Sequence, residues 1–172
     1  MKKLLLILPL VILLCFTFSC QKQGEEVAEE PAVDVEADKE AIRDWVNGNY
    51  AAADSGDLES YLSFWAEDVI WMPPNAPIMQ GKSTIREYVQ PFFEQLTMHH
   101  EISIEEIEVA EDFTFTRLNS EEKYTPKTGG GEPMEVNVKA IFLLQRMPDG
   151  TWSCTHGIWN SNDPLPTSKE NQ

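Results

Sequence analysis

The sequence predicts an α+β fold in which N-terminal helices pack on one curved antiparallel sheet. Apolar residues recur at helical spacing before His99, whereas from Glu101 to Asn160 they alternate with polar residues as in β-strands. Turn sequences interrupt the alternating half, the tightest being Pro148-Asp149-Gly150. Helices followed by consecutive antiparallel strands are typical of α+β domains, so we expect one sheet wrapped around a small helical layer.

Two helices are expected at the start of the domain. The first begins near Asp38 and ends at Asp54-Ser55-Gly56, where the helical spacing stops. The second is short, with Asp57 as its N-cap. The stripes that would face the sheet are Ile42, Trp45, Val46, Asn49 and Ala53 in the first helix, and Leu58, Tyr61, Leu62 and Trp65 in the second.

A short strand and a third helix are expected next. The strand covers Val69 to Met72 and stops at Pro73-Pro74. The third helix begins at Ser83 or Thr84, either of which can act as its N-cap. Pro91 lies inside this helix and predicts a kink or a break, because proline lacks the N–H that the helix needs. The stripe of the third helix is Ile85, Val89, Phe92 and Leu96.

The second half of the chain predicts a meander of long strands. A loose turn between Thr125 and Pro133, with three consecutive glycines, and the tight turn at Pro148-Asp149-Gly150 connect them. The four predicted strands are Glu101–Ala110, Phe113–Tyr124, Met134–Arg146 and Thr151–Asn160.

The composition limits the classes of function. Hydrophobic residues make up 42% of the chain and aromatic residues 10%, which supports a packed core. Twenty-nine acidic residues outnumber 13 basic ones, for a formal net charge of −16. Such a charge repels nucleic acid phosphates and anionic membrane surfaces, so we expect no nucleic acid partner and no contact with a membrane except through an anchor.

The N-terminus has the pattern of an export signal. Two lysines precede an apolar run over residues 4–18, which is too short to span a bilayer because a spanning helix needs about 20 residues. Cys20 ends the segment and is followed by polar Gln21. Residues 1–19 resemble a bacterial lipoprotein signal peptide, which makes Cys20 the lipidated residue. An ordinary secretory signal with an incidental cysteine is the alternative.

The rest of the chain divides at changes of composition. Residues 20–37 are acidic and predict a flexible tether, residues 38–165 the folded domain, and residues 166–172 a disordered tail. Cys154 is the one cysteine left in the domain, so we expect neither a disulfide nor a cysteine metal cluster. The lipoprotein resemblance implies an exported protein anchored to the bacterial envelope. Gln21 after the cysteine implies the periplasmic face of the outer membrane if the source is Gram-negative.

The stretch "APIMQGKST" (Ala76 to Thr84) fits the loosest form of a phosphate-binding loop. Such loops follow a buried parallel strand, whereas prolines precede this one and a meander follows it. Pro77 also removes an N–H from the loop that would have to hold the phosphate. The stretch therefore predicts a turn into the third helix, and we expect no nucleotide and no other cofactor.

The three histidines predict no metal site. His99 and His100 are adjacent, so on a strand they point to opposite faces and cannot share a metal ion; a solvated strand start is the expected position. His156 alternates with Trp152, Cys154 and Ile158, which places it on the face predicted to be buried. It is either a hydrogen-bonded core or rim residue, or a ligand contact or an acid/base group.

Aromatic residues concentrate where the helices should meet the sheet. They form a core or, in a cone-shaped domain, the lining of an apolar cavity. No Ser–His–Asp order, HExxH motif or CxxC motif is present. The predicted pocket residues are Tyr50, Trp65, Trp71, Phe92, His156 and Asn160.

Four stretches carry a resemblance to a known superfamily. They are "SGDLESYLSFWAEDVIWMPPNAPIMQGKSTIREYV", "TPKTGGGEP", "MPDGTW" and "HGIWNSNDP". From about Asp38 to Pro164 the chain resembles the nuclear transport factor 2-like superfamily, which includes ketosteroid isomerases and SnoaL-like polyketide cyclases. The branch it resembles most is a domain of unknown function (4440). The resemblance implies a cystatin-like cone that can serve as an enzyme, a binding module or a dimerisation unit.

The resemblance argues against ketosteroid isomerase activity. The position of the catalytic aspartate of those enzymes is occupied here by Met72-Pro73-Pro74, and their tyrosine falls at Asn49 or Tyr50. Their second acid has no counterpart in the apolar segment from Ala140 to Leu144. The branch often has an acidic residue at the position of Gly157, so this chain departs from it there.

These observations predict a lipid-anchored domain that binds a small, largely apolar ligand or a partner, without a recognisable catalytic set. One alternative is a cyclase, dehydratase or isomerase in which His156 is the acid/base group, assisted by Tyr50 or Asn160. The second is a module that dimerises through its sheet, with Trp159 on the outer face. Relatives commonly dimerise, so the resemblance implies a homodimer.

Overall fold

The computed structural model describes residues 34–164. The predicted signal peptide, the lipidation site Cys20, nearly all of the tether and the C-terminal tail lie outside this range. Within it, no helix combines the length and the apolar character needed to cross a bilayer.

An aspartate caps the N-terminus of each of the first two helices. Helix α1 (Val35–Ser55) begins earlier than predicted, because the Asp34 side chain accepts a hydrogen bond from the N–H of Ala37 at 3.1 Å. It ends at Gly56, whose left-handed φ of 74° suits a residue without Cβ. Helix α2 (Leu58–Ser63) confirms the predicted cap, since Asp57 accepts from the N–H of Ser60 at 2.9 Å.

Helix α3 (Lys82–Gln95) differs from the prediction in its N-cap and in having no break at Pro91. Its N-cap is Gly81, and neither Ser83 nor Thr84 caps it; the Thr84 hydroxyl instead donates to the carbonyl of Gln80 at 2.9 Å. The helix runs through Pro91 without a break. Burial of Ile85, Val89 and Phe93 provides tertiary packing on both sides of the proline, which offsets the lost hydrogen bond.

Six strands form one sheet in the order β2-β1-β6-β5-β4-β3. The meander of four long strands is confirmed, and the predicted short strand is longer because it starts at Trp65. It pairs with the last strand in parallel, whereas the other pairs are antiparallel. The strands are β1 (Trp65–Met72), β2 (Met79–Gln80), β3 (Leu96–Ala110), β4 (Phe113–Pro126), β5 (Met134–Arg146) and β6 (Trp152–Ser161).

The core lies between the helices and the concave face of the sheet, which confirms the α+β prediction. Trp45 of α1 is at its centre, with ring centroids 5.9 Å from Trp65 and 5.6 Å from Phe142. Its indole N–H donates to the carbonyl of Phe64 at 3.1 Å, so a buried polar group is satisfied as well. This packing fixes the helical layer against the sheet beside the candidate functional site.

Candidate functional site

A cavity of about 130 Å³ lies at one end of the core, partly open to solvent. Residues from all three helices and from five of the strands line it, and most of them are aromatic. Phe92 is among them and is 39% exposed, which places its ring where the cavity meets solvent. The fold thus assembles one apolar site from residues that are far apart in the sequence.

Aromatic rings in contact with one another form the apolar part of the wall. The ring of Trp71 lies 6.1 Å from Trp65, 5.4 Å from Tyr88 and 6.4 Å from Trp159, between centroids. The indole nitrogens of these three tryptophans are buried without a hydrogen-bond partner among the described residues. This part of the wall is therefore strongly apolar.

Gly157 of β6 makes this close aromatic packing possible. A Cβ atom at this position would lie 2.9 Å from Trp71 Cδ1, 3.2 Å from Trp65 Cζ3 and 3.3 Å from Phe142 Cδ1. Distances this short leave no room for any side chain unless the rings move. The position of Gly157 is therefore closed by three rings.

The opposite part of the wall carries a buried carboxyl group. Glu122 of β4 is only 7% exposed. It accepts hydrogen bonds from the Ser120 hydroxyl, at 2.6 Å, and from the Tyr124 hydroxyl. The alternation of β4 places all three side chains on the concave face, so the strand itself builds this polar cluster.

His100 of β3 is the second polar group of the cavity. Its side chain is 6% exposed, and Nδ1 is hydrogen-bonded to the carboxylate of Asp54, which also accepts from the backbone N–H of His100 at 3.2 Å. The ring packs edge-on against Tyr50, with centroids 5.1 Å apart. Nε2 is the ring nitrogen without a hydrogen-bond partner among residues 34–164. The predicted solvated position is wrong for His100, because α1 ends beside the start of β3; His99, on the other face, is 65% exposed.

Three phenols of the cavity are held in the protonated form. Burial raises the pKa of Tyr50 well above its usual value, and the negative charge of Glu122 raises it further. The pKa values of Tyr61 and Tyr124 are raised in the same direction, with burial as the largest cause. These hydroxyls are therefore hydrogen-bond donors. Burial also raises the pKa of the Cys154 thiol, so this cysteine is an inert core residue and no nucleophile.

The structure brings together four of the six predicted pocket residues. Tyr50, Trp65, Trp71 and Phe92 line the cavity. His156 and Asn160 do not, and the prediction that they do is wrong.

A β-bulge explains the error. Leu143 pairs with His156 whereas Leu144 pairs with Cys154, so Thr155 is an extra residue in β6. The bulge reverses the inward and outward faces, and the His156 ring lies against the Thr155 hydroxyl, 3.1 Å from Nδ1. For the same reason Trp159, predicted on the outer face, points inward and lines the cavity.

Sequence reasoning missed Asp54, His100, Glu122 and Tyr124. A signal for Glu122 was present, because it follows Leu118 and Ser120 on what the alternation of β4 predicts as the buried face. No local pattern links Asp54 to His100, which are 46 residues apart. Within residues 34–164, no three His, Cys, Asp or Glu side chains come together as metal ligands. The absence of a cofactor stays a prediction.

The chain is similar to several solved structures. One is a ketosteroid isomerase-like protein from Erwinia carotovora atroseptica SCRI1043, with a TM-score of 0.66 and 21% identity over 73% of this chain and 96% of that chain. Another is a nuclear transport factor 2-like protein with a cystatin-like fold from Novosphingobium aromaticivorans, with a TM-score of 0.63 and 19% identity over 75% and 84%. A hexachlorocyclohexane dehydrochlorinase from Novosphingobium barchaimii LL02 has a TM-score of 0.66 and 16% identity over 79% and 94%.

These identities show a shared fold. Among curated proteins, none is detectably similar to the chain. The profile of the SnoaL-like domain family matches residues 31–153, which is most of the chain and includes every lining residue of the cavity except Trp159. The protein therefore belongs to the SnoaL-like domain family.

Proposed function

We propose that the cavity binds a small, largely apolar molecule and that the protein carries this site on an exported, lipid-anchored chain. The observation that supports binding is the largely aromatic cavity of about 130 Å³, in which Glu122 is the one carboxyl group among the described lining residues. An apolar cavity of about 150 Å³ holds a benzene molecule, whereas pockets for drug-sized ligands measure about 300–1,000 Å³. The proposed ligand is therefore a single ring or an equally compact molecule, and a steroid is too large.

Filling the cavity should abolish this binding. Ala53 lines the cavity, whereas its neighbour Ala52 is just as buried and does not. Toluene, p-cresol and indole are suitable probes, because a ligand at about 100 times its Kd stabilises the folded state by about 2.7 kcal/mol. We expect this stabilisation, measured as a shift in Tm against each unliganded protein, in the wild type and in Ala52→Leu but not in Ala53→Leu. Equal shifts in both variants, or no shift with any probe in the wild type, would overturn the proposal.

Acid/base catalysis is a second candidate function, and the Asp54–His100 pair is the observation that favours it. The carboxylate holds the Nδ1 proton of His100, which fixes the tautomer and leaves Nε2 to accept a proton from a bound molecule. The protonated phenol of Tyr50 beside it can donate to an oxygen on which negative charge develops. One structural neighbour is a dehydrochlorinase, whose name describes an elimination. His156, which lies outside the cavity, has no part in this candidate.

Lipid anchoring is proposed from the sequence of residues 1–20. We expect the full-length chain, expressed in a bacterial host, to incorporate labelled palmitate, and Cys20→Ala to abolish the labelling. Cys15→Ala is the matched control, since that residue lies inside the signal and should leave labelling unchanged. Persistent labelling of Cys20→Ala would refute the site. The periplasmic face of the outer membrane is the proposed location for a Gram-negative source.

Two finer assignments also stay proposals. One is membership of the branch known as a domain of unknown function (4440). The other is a homodimer formed through the outer face of the sheet. Trp159 cannot contribute to such an interface, but Leu143 and Ile158 are 38% and 44% exposed, and both belong to the outer face with His156. Light scattering of the mature domain tests it, and a monomer would count against it.

A further inference from the structure

The cavity wall combines many aromatic rings with a buried carboxyl group, and no lysine or arginine of the described residues lines it. We infer that the ligand is a small organic cation, with a methylated ammonium group as the best fit. This inference rests on the proposed binding function, because it names the chemical class that the same cavity takes.

Glu122 is the first reason. Its side chain forms hydrogen bonds with the neutral hydroxyls of Ser120 and Tyr124, and it has no ion pair with a basic side chain within residues 34–164. A carboxylate removed from water is stable only when a positive charge or a set of strong donors compensates it. Two neutral hydroxyls supply donors and no charge. A cation in the cavity would supply the missing charge.

His100 does not provide that charge. It is the direct cross-strand partner of Glu122, which places the two side chains on the same face of the sheet. Its Nδ1, however, is already hydrogen-bonded to Asp54. Asp54 also has the exposed ring of His99 at 3.8 Å, and among the described residues His100 is the one histidine beside Glu122. With both histidines neutral, no positive charge of the described residues in this part of the wall offsets a Glu122 carboxylate.

The aromatic rings are the second reason. The face of an aromatic ring carries negative electrostatic potential, so rings turned toward one point attract a cation there. The plane of Trp71 is inclined by 77° to Tyr88 and by 43° to Trp159, so these lining rings differ in orientation and do not stack face to face. Such cages recognise quaternary ammonium groups. A neutral apolar ligand would fill the same space but would leave the charge of Glu122 uncompensated.

The cavity volume limits the size of the cation. About 130 Å³ accommodates a trimethylammonium group with a short tail and is too small for a polycyclic amine. A polar tail would extend past Phe92 toward solvent, since that ring lies at the opening. The inference therefore concerns compact ammonium compounds with at most a short substituent.

Choline and 3,3-dimethylbutan-1-ol test this inference directly. The two molecules have the same shape. Choline has a positively charged nitrogen where the alcohol has a neutral carbon. We expect the mature domain to bind choline at least about tenfold more tightly, measured by tryptophan fluorescence and calorimetry. Glu122→Gln should remove most of this preference. Glu121→Gln, the exposed neighbour on the outer face of β4, is the matched control and should keep the preference.

The outcomes separate this inference from the proposed function. Equal binding of both compounds by the wild type would overturn the cation while leaving an apolar site. Binding of toluene, p-cresol or indole, without binding of choline or the alcohol, would also overturn the cation and leave an apolar site. A preference for choline that survives Glu122→Gln would overturn the role of that carboxyl group. If none of these compounds binds, both the inference and the proposed function fail. The wild-type comparison decides the ligand class even if Glu122→Gln does not fold.

Discussion

Gly157→Asp is expected to lower the free energy of unfolding by more than about 4 kcal/mol, enough to leave a domain of this size largely unfolded. The first cause is steric, since the added Cβ would lie 2.9 Å from Trp71 and 3.2 Å from Trp65. Overpacking of this kind costs about 1–3 kcal/mol. The second cause is a carboxylate forced among three aromatic rings without a partner, which costs about 3–5 kcal/mol when it stays charged.

Chemical denaturation of a short series separates the two causes. Gly157→Ala adds only the steric part and should cost about 1–3 kcal/mol. Asn160→Asp is the matched control, because it places the same carboxylate at an exposed position of the same strand and should change stability by less than about 0.5 kcal/mol. A stable Gly157→Asp protein would show that the rings separate easily and that the cavity is larger than about 130 Å³ in solution.

Gly157 supports a closed aromatic wall, and the carboxyl group of the cavity comes from Glu122 on a different strand.

His100→Asn is expected to lower the rate of any proton abstraction in the cavity by about 10²–10⁴-fold. The reason is that Asp54 orients His100 through Nδ1 and leaves Nε2 as the base, and asparagine offers no group of comparable basicity there. Exchange of the α-protons of cyclopentanone in D₂O, followed by NMR, measures this step with a molecule small enough for the cavity.

His156→Asn is the matched control for that experiment. It removes the same side chain from a position outside the cavity, so the exchange rate should stay within a factor of two or so of the wild type. If both variants lose the same fraction of the rate, or if the wild type does not exceed buffer, the catalytic candidate is rejected. Simple ligand binding would then be the function that the cavity supports.

Local sequence patterns were enough to predict most of the secondary structure. The four long strands follow from alternation that continues for ten residues or more, and α2 follows from the cap at Asp57. The errors occurred where several weak local preferences competed with packing. Ser83 and Thr84 are good capping residues and Pro91 a poor helical one, yet burial of Ile85, Val89 and Phe93 decided where α3 begins and that it continues.

The composition of the site was predicted in part, and its geometry was not. Four lining residues could be predicted because large aromatic side chains on the inner faces of helices and strands are usually buried between the two layers. They are Tyr50, Trp65, Trp71 and Phe92. The faces of β6 could not be predicted, since one extra residue at Thr155 reverses every later side chain, and only pairing with β5 reveals it.

The sequence by itself therefore determined the α+β class, the order of the elements and the aromatic character of the core, because these depend on periodicity along the chain. The tertiary structure alone decided which histidine enters the cavity. His100 meets Asp54 only because the end of α1 is packed beside the first residues of β3, and Glu122 faces His100 only through the register of β3 with β4. Contacts between distant segments depend on register and packing, and no local pattern encodes either.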